Sequence, residues 1–259
     1  MKIVTWNIAA AHTVKSKKRF DYADEDLAYF TRQLSILKPD VVCLQESHVN
    51  SQRSLAYEIA EVLGGYKVFD SPLSQSHIDP SYQVALSILT KETVSSSGFR
   101  EFPLPDFDLF FADGRQAVKD TKGIQFVDYQ GIRIANTHAL PLIVFNYDYR
   151  KGEGRKLAAK IEFIMSEVLQ SNSCLCGDLG MSNRQSDVYS SLFEKYKLQN
   201  ALPDKPTHYR QSEVGGVNAP DVILYTTSTL RAPVADVIKT DTDHYLCWAE
   251  VVGDPKYTA

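Results

Sequence analysis

An acid and an imidazole stand side by side near the end of the sequence, Asp243 and His244, directly ahead of an apolar run. Tyr245, Leu246, Cys247, Trp248, Ala249 and Val251 of that run read as a buried strand. The pair therefore sits at the lip of a rigid element and faces out of it. The arrangement recurs along the chain. Asn7, Glu46, His138 and Asp178 each close an apolar run, and Asp221 opens one. Any one of these would pass as a turn or surface residue. Together, all at strand boundaries, they exceed what turn chemistry accounts for.

The chemistry this set supports is specific. Two or three carboxylates with an amide oxygen make a hard oxygen shell, suited to Mg²⁺ or Mn²⁺ rather than zinc. Such an ion beside two histidines and spare aspartates fits hydrolysis of a phosphoester. The cation offsets the charge of the phosphate and of the developing oxyanion. One imidazole or aspartate takes a proton from water, and the other imidazole donates to phosphoryl oxygens.

The elements that must position these groups follow from periodicity. Strands are expected at Lys2 to Ile8, Val41 to Leu44, Tyr66 to Phe69, Val84 to Leu89, Ser173 to Cys176, Val222 to Tyr225, Val234 to Ile238 and Tyr245 to Val251. Gly123 to Tyr129 and Ile132 to Ala135 read as a hairpin turning at Gln130-Gly131. Helices are expected over Asp24 to Leu37, Ser51 to Leu63, Arg155 to Leu169 and Asp187 to Tyr196. Ala9 to Lys18, Ser71 to Tyr82, Leu140 to Gly154 and Leu202 to Ala219 read as loops. Pro103 and Pro105 exclude a central strand in the stretch Thr93 to Arg115. Strands alternating with hairpins and helices give an α/β protein whose strand ends meet at one edge.

Composition narrows the class. With 259 residues, 44% of them apolar, the chain can bury a large core as one domain. One domain is expected over 1–252, with a loose tail over 253–259. A net charge of −4 argues against a protein that coats nucleic acid non-specifically. The cysteines at 43, 174, 176 and 247 all lie in apolar runs, and Cys174 and Cys176 would share one strand face. Zinc spacing is absent, so they read as reduced core cysteines. The N-terminus enters a strand without a leader pattern, and no apolar run approaches the ~20 residues of a membrane helix. The expectation is a cytoplasmic protein without membrane insertion.

Six pieces in order carry a resemblance: Thr5-Trp6-Asn7, Val41 to Glu46, Asn136-Thr137-His138, Gly177-Asp178, Asp221 to Leu224 and Thr242-Asp243-His244. With these the chain resembles the endonuclease/exonuclease/phosphatase superfamily over nearly its whole length. The resemblance implies a four-layer α/β sandwich, two facing mixed β-sheets with helices outside and the site at one end. It implies that Glu46 is the main Mg²⁺ ligand, with Asn7 and Asp243 close to the ion. Asp178 would orient or deprotonate the attacking water. His244, held by Asp221, would contact the scissile phosphate or act as base. His138 would bind or protonate phosphoryl oxygen from the other side.

Two departures stand out. The family follows its Gly-Asp with one residue and then Asn, whereas here Gly177-Asp178-Leu179 leads to Gly180. An Asn there helps hold the phosphate or the reacting water, so its absence suggests weakened activity or a binding module. Asn183 is three residues further on. The second departure is Ala219-Pro220 ahead of Asp221, where an arginine is usual.

The resemblance leaves the substrate open. A phosphodiester of nucleic acid, DNA or RNA, is the first expectation, acted on by a monomer. The alternative is a small-molecule or lipid-headgroup phosphoester, which the acidic balance suits better. The basic clusters Lys15 to Arg19 and Arg150 to Lys160 flank two motifs and are candidates for holding further phosphates. Phe145, Tyr147 and Tyr149 lie just past His138 and are candidates for stacking a base.

Overall fold

A computed structural model with side chains describes residues 1–16, 21–181, 187–209 and 218–254. Two six-stranded mixed sheets carry the architecture. The first holds β1 (Lys2–Asn7), β4 (Val41–Val49), β5 (Lys67–Gln75), β6 (Gln83–Thr90), β13 (Leu230–Ile238) and β14 (Leu246–Gly253), in the order β13-β14-β1-β4-β6-β5. The second holds β7 (Ser96–Glu101), β8 (Gly123–Tyr129), β9 (Ile132–His138), β10 (Ser173–Asp178), β11 (Leu198–Asn200) and β12 (Asp221–Thr226), in the order β11-β12-β10-β9-β8-β7. A short ribbon of β2 (His12–Val14) and β3 (Tyr22–Glu25) stands apart. The helices are α1 (Leu27–Leu37), α2 (Leu55–Leu63), α3 (Gly152–Val168) and α4 (Ser190–Tyr196).

Period-two alternation sorts the side chains into three apolar layers. On β1, Ile3 points between the sheets, while Val4 and Trp6 point out to α1 and α2. On β10, Cys174 and Cys176 point inward and Leu175 points to α3. Both faces are buried, which is why the central strands read as unbroken apolar runs. The four cysteines are free and buried, and the three strands that carry them turn all four into the layer between the sheets. Among the described residues no helix is long and apolar enough to cross a membrane.

Several boundaries differ from the sequence expectation. The helix expected from Asp24 starts at Leu27, because Asp26 caps it by accepting from the Tyr29 N–H, and residues 22–25 pair with β2 instead. Likewise Ser54 caps α2 at Leu55. The loop expected from Ser71 begins as strand: β5 is a sheet edge, where Pro72 is tolerated beside a register shift. The unread stretch after Thr93 contains β7, the far edge of the second sheet. Gly253 ends β14 rather than opening a tail. Residues 255–259, Lys17, Lys18, Arg19, Asn183, Gly215 and Gly216 lie outside the described residues.

Candidate active site

Strand register assembles one side of the site. His138 on β9 pairs with Asp178 on β10, and Asp178 pairs with Asp221 on β12. Three candidate side chains thus stand in one row across adjacent strands, at one end of the second sheet. Asp178 reaches its place only because Gly177 precedes it. Gly177 has φ +126°, and a Cβ there would stand 2.0 Å from the Thr137 carbonyl oxygen.

The first sheet supplies the opposite wall. Asn7 ends β1 opposite Gln45. Glu46 follows at φ +53°, inside a bulge where Leu44 faces Ser87 and Ser47 faces Ala85. Two residues of β4, Gln45 and Glu46, oppose Leu86 alone. The bulge turns the Glu46 carboxylate out of the pleat and toward the second sheet. Behind it, the Gln45 amide donates to Thr5 Oγ1 (3.0 Å) and Asn136 Oδ1 (2.6 Å). The Asn136 amide in turn donates to the Leu44 (2.8 Å) and Ser87 (3.1 Å) carbonyls. This buried polar bridge locks β9 onto β4 and β6, so the two walls keep one spacing.

The side chains meet in the gap. Asn7 Nδ2 donates to Glu46 Oε1 at 3.0 Å and lies 3.5 Å from Asp178 Oδ2. His138 Nε2 is 3.7 Å from Glu46 Oε1 and 3.8 Å from Asp178 Oδ2. His244 Nε2 is 3.6 Å from Asp178 Oδ2, while its Nδ1 bonds the Asp221 carboxylate at 2.9 Å. Trp6 Nε1 donates to the His244 carbonyl at 3.0 Å, which fixes the loop that carries Asp243 and His244. All seven residues expected from the sequence therefore face one pocket or its immediate wall. Asn7, His138, Asp178, Asp221 and His244 are buried, and Glu46 and Asp243 are half-buried.

Four residues of this site were not singled out in the sequence. Tyr22 on β3 donates its hydroxyl to Asp243 Oδ2 at 3.0 Å. Lys122 places Nζ 3.4 Å from each ring nitrogen of His138. His208 packs edge-on against His244, with ring centroids 4.7 Å apart, and Asn218 lies 3.3 Å from its Nδ1. Lys122 had a readable signal. The hairpin turn at Gln130-Gly131 sets Gly123 opposite His138, which puts Lys122 one step beyond. Tyr22 and His208 sit in loops and short ribbons whose course no period reveals.

Electrostatics separates the acids. Burial lifts the Asp178 carboxyl to about 6, with the Asp221 and Glu46 charges adding to it against the pull of His244 and the Gly180 N–H. Burial also raises Asp243, again with Glu46 adding. Glu46 feels the same burial, but Lys122, the neighbouring histidines and the Asn7 amide outweigh it and hold its carboxyl down to about 2. Burial works against the charged form of His244, yet Asp221 and Asp178 carry it well above the usual histidine range. His138 goes the other way: burial and the Lys122 charge push it well below that range. One imidazole is therefore a cation at neutral pH and the other is neutral.

The donor set fits a divalent cation. Four carboxylates, on Glu46, Asp178, Asp221 and Asp243, crowd a mostly buried pocket against the charges of His244 and Lys122. Two groupings hold three ligand-type side chains close together, His208, Asp243 and His244, and Asp178, Asp221 and His244, but the charged His244 offers no lone pair, which leaves the carboxylates as the donors within them apart from His208. Glu46 belongs to neither and faces the same gap through Asn7. Oxygen donors dominate, as a hard cation requires.

Gly180 closes the account of the missing amide. Its N–H donates to Asp178 Oδ1 at 2.7 Å. Its φ is +64°, and a Cβ would meet the Leu140 carbonyl oxygen at 2.8 Å and the Ala139 carbonyl oxygen at 3.0 Å. The backbone of 139–140 occupies the space that a side chain would need. The proposed aromatic and basic contacts are also altered. Tyr149 is buried and donates to the Leu140 carbonyl at 2.7 Å, while Tyr147 packs on Phe107 and Phe145 on Phe111. Arg150 pairs with Asp148, Lys156 with Glu153 and Lys160 with Asp106.

Two facing sheets with a carboxylate–imidazole pocket at their common end define the phosphoester-hydrolase class of α/β sandwich. The chain belongs to the Endonuclease/Exonuclease/phosphatase family, whose sequence profile matches residues 4–244. Solved structures share the fold at low identity. An endonuclease/exonuclease/phosphatase family protein from Leptotrichia buccalis C-1013-b superposes with a TM-score of 0.64 at 16% identity, covering 97% of this chain and 99% of that one. An AP endonuclease from Archaeoglobus fulgidus gives 0.59 at 15%, covering 98% and 99%. A mannosyl-6-phosphatase from Bacteroides thetaiotaomicron VPI-5482 gives 0.64 at 14%, covering 97% and 99%. No curated relative matches the chain by sequence.

Proposed function

We propose that the protein hydrolyses phosphoesters with a divalent cation, Mg²⁺ or Mn²⁺, seated by Glu46 and Asp243, with Asn7 close to the ion and its amide N–H held on Glu46. When bound, the cation would offset charge on the phosphate and on the leaving oxygen. Asp178, its carboxyl lifted to about 6, is the group suited to take a proton from the attacking water near neutral pH. His244 carries its charge with Nδ1–H fixed on Asp221, which leaves Nε2–H to donate to a phosphoryl oxygen. Neutral His138 faces the same space from the opposite side. The ester P–O bond breaks as the water oxygen bonds phosphorus. The observation that carries this reading is the divergent environment of Asp178 and His244, an acid and a base set 3.6 Å apart in opposite charge-favouring surroundings.

Of the substrate classes, the paired state of Arg150, Lys156 and Lys160 favours a compact phosphoester over a long nucleic-acid strand. The net charge of −4 points the same way. The second reading, a nucleic-acid end or abasic site, is supported by the shared fold of the AP endonuclease. The test is a panel of sugar phosphates, inositol phosphates, bis-p-nitrophenyl phosphate, tailed and abasic DNA and oligo-RNA, with Mg²⁺, Mn²⁺ or EDTA. Turnover should need the metal and fall at least about a hundredfold in Glu46→Gln. Metal-independent turnover, or no turnover of any member, would overturn the proposal.

A further inference from the structure

We propose that Lys122 is a ligand for the phosphoryl oxygens of the substrate. The inference rests on the reaction proposed above but is read from a different set of atoms. Lys122 leaves the loop before β8, and its ammonium comes 3.4 Å from both His138 Nδ1 and Nε2. Neither ring nitrogen can neutralise it. Other lysines on these surfaces find acids: Lys119, three residues earlier, has Asp108 at 3.9 Å, and Lys160 has Asp106 at 2.6 Å. Among the described residues Lys122 has no carboxylate oxygen within 4.0 Å. It is half-buried beside a narrow cleft lined by Phe102, Pro103, Pro105, Leu140, Leu157 and Ile161, with Asp120 as the one acid of the lining.

Half-buried, with Glu46 and Asp120 nearby but neither carboxylate within 4.0 Å, the ammonium loses solvation that an anion in direct contact would restore. The anion must arrive from outside, and the direction is set. Nε2 of His138 faces Glu46 and Asp178, at 3.7 and 3.8 Å, across the gap where a phosphate would sit. An oxygen accepting from Nε2 at an ordinary ~2.8 Å comes within a lysine's reach of Nζ. Lys122 and His138 would then hold the phosphate from the second sheet, opposite the cation side.

The test is binding of inorganic phosphate by calorimetry, with Mg²⁺ present, to the wild type, Lys122→Met and Lys122→Arg. We expect the Met variant to bind at least about tenfold more weakly and the Arg variant to stay within a few fold. Mn²⁺ affinity, read by its paramagnetic signal, should not fall in either. A Lys122→Gln variant repeats the measurement should Met at that position misfold. Equal phosphate affinity in wild type and the Met variant would overturn the assignment. So would a joint loss of phosphate and Mn²⁺ affinity, which marks a structural role. If the wild type bound phosphate through Lys122 yet cleaved no ester, the anion seat would stand and the proposed reaction would fall.

Discussion

Replacing Asp178 by Asn should abolish turnover and, in metal-free protein, raise stability. Asp178 is 5% exposed, accepts from the Gly180 N–H and shares its strand row with Asp221. Lifting its carboxyl from 3.8 to about 6 means that the ionised form costs the folded state ~3 kcal/mol at neutral pH. Asn keeps an oxygen for Gly180 but turns an amide toward Asn7, His138 and His244, which all present donors. That loss returns part of the gain, leaving about 1–2 kcal/mol. In a chain of this size the melting temperature would rise by roughly 2–6 °C.

The pH dependence separates this cause from general repacking. A carboxyl raised in the folded state carries its penalty only while it is ionised. The penalty is complete above about 6, shrinks as pH falls toward 3.8, and vanishes below it. Melting curves of both proteins in EDTA at pH 7.5 and pH 4 are the assay. The variant should be the more stable at pH 7.5, and its advantage should disappear at pH 4. A variant less stable than the wild type at pH 7.5, or an advantage equal at both values, refutes the reasoning. With Mg²⁺ present the wild type should recover, because the cation offsets the same crowding of acids.

Three further outcomes follow from named contacts. Gly180→Asn should lower stability by about 1–3 kcal/mol without raising the rate, since its Cβ meets carbonyl oxygens at 2.8 and 3.0 Å; a faster, equally stable variant would show that the amide alone was missing. Tyr22→Phe should weaken Mn²⁺ binding by about 10–100-fold through the freed Asp243 carboxylate, measured by Mn²⁺ titration, and unchanged affinity would place Asp243 away from the ion. Asn136→Leu should destabilise the chain by several kcal/mol, because the Leu44 and Ser87 carbonyls and the Gln45 amide lose their buried partner; chemical denaturation reads the loss.

The strand-end residues were legible because β-structure makes position a matter of counting. His138, Asp178 and Asp221 end or begin runs whose alternation is plain, and sheet register then lines them up. Tyr22 stands just ahead of the expected helix, and the ribbon that carries it was hidden because Asp24 and Glu25 imitate an acidic first turn. The true cap, Asp26, differs from them only in what it bonds. Glu46 was legible as a residue but its aim was not. An extra residue in β4 rotates it out of the pleat, and a bulge is visible only once the partner strand is known. The missing amide was legible as an absence, and only the carbonyls of Ala139 and Leu140 explain it. Periodicity thus finds the groups that strands carry, while the groups that loops bring in depend on packing between distant segments. Lys122 lies on the border between the two. It is fixed by a hairpin count, and the acids its charge faces appear only when the second wall of the pocket is in place.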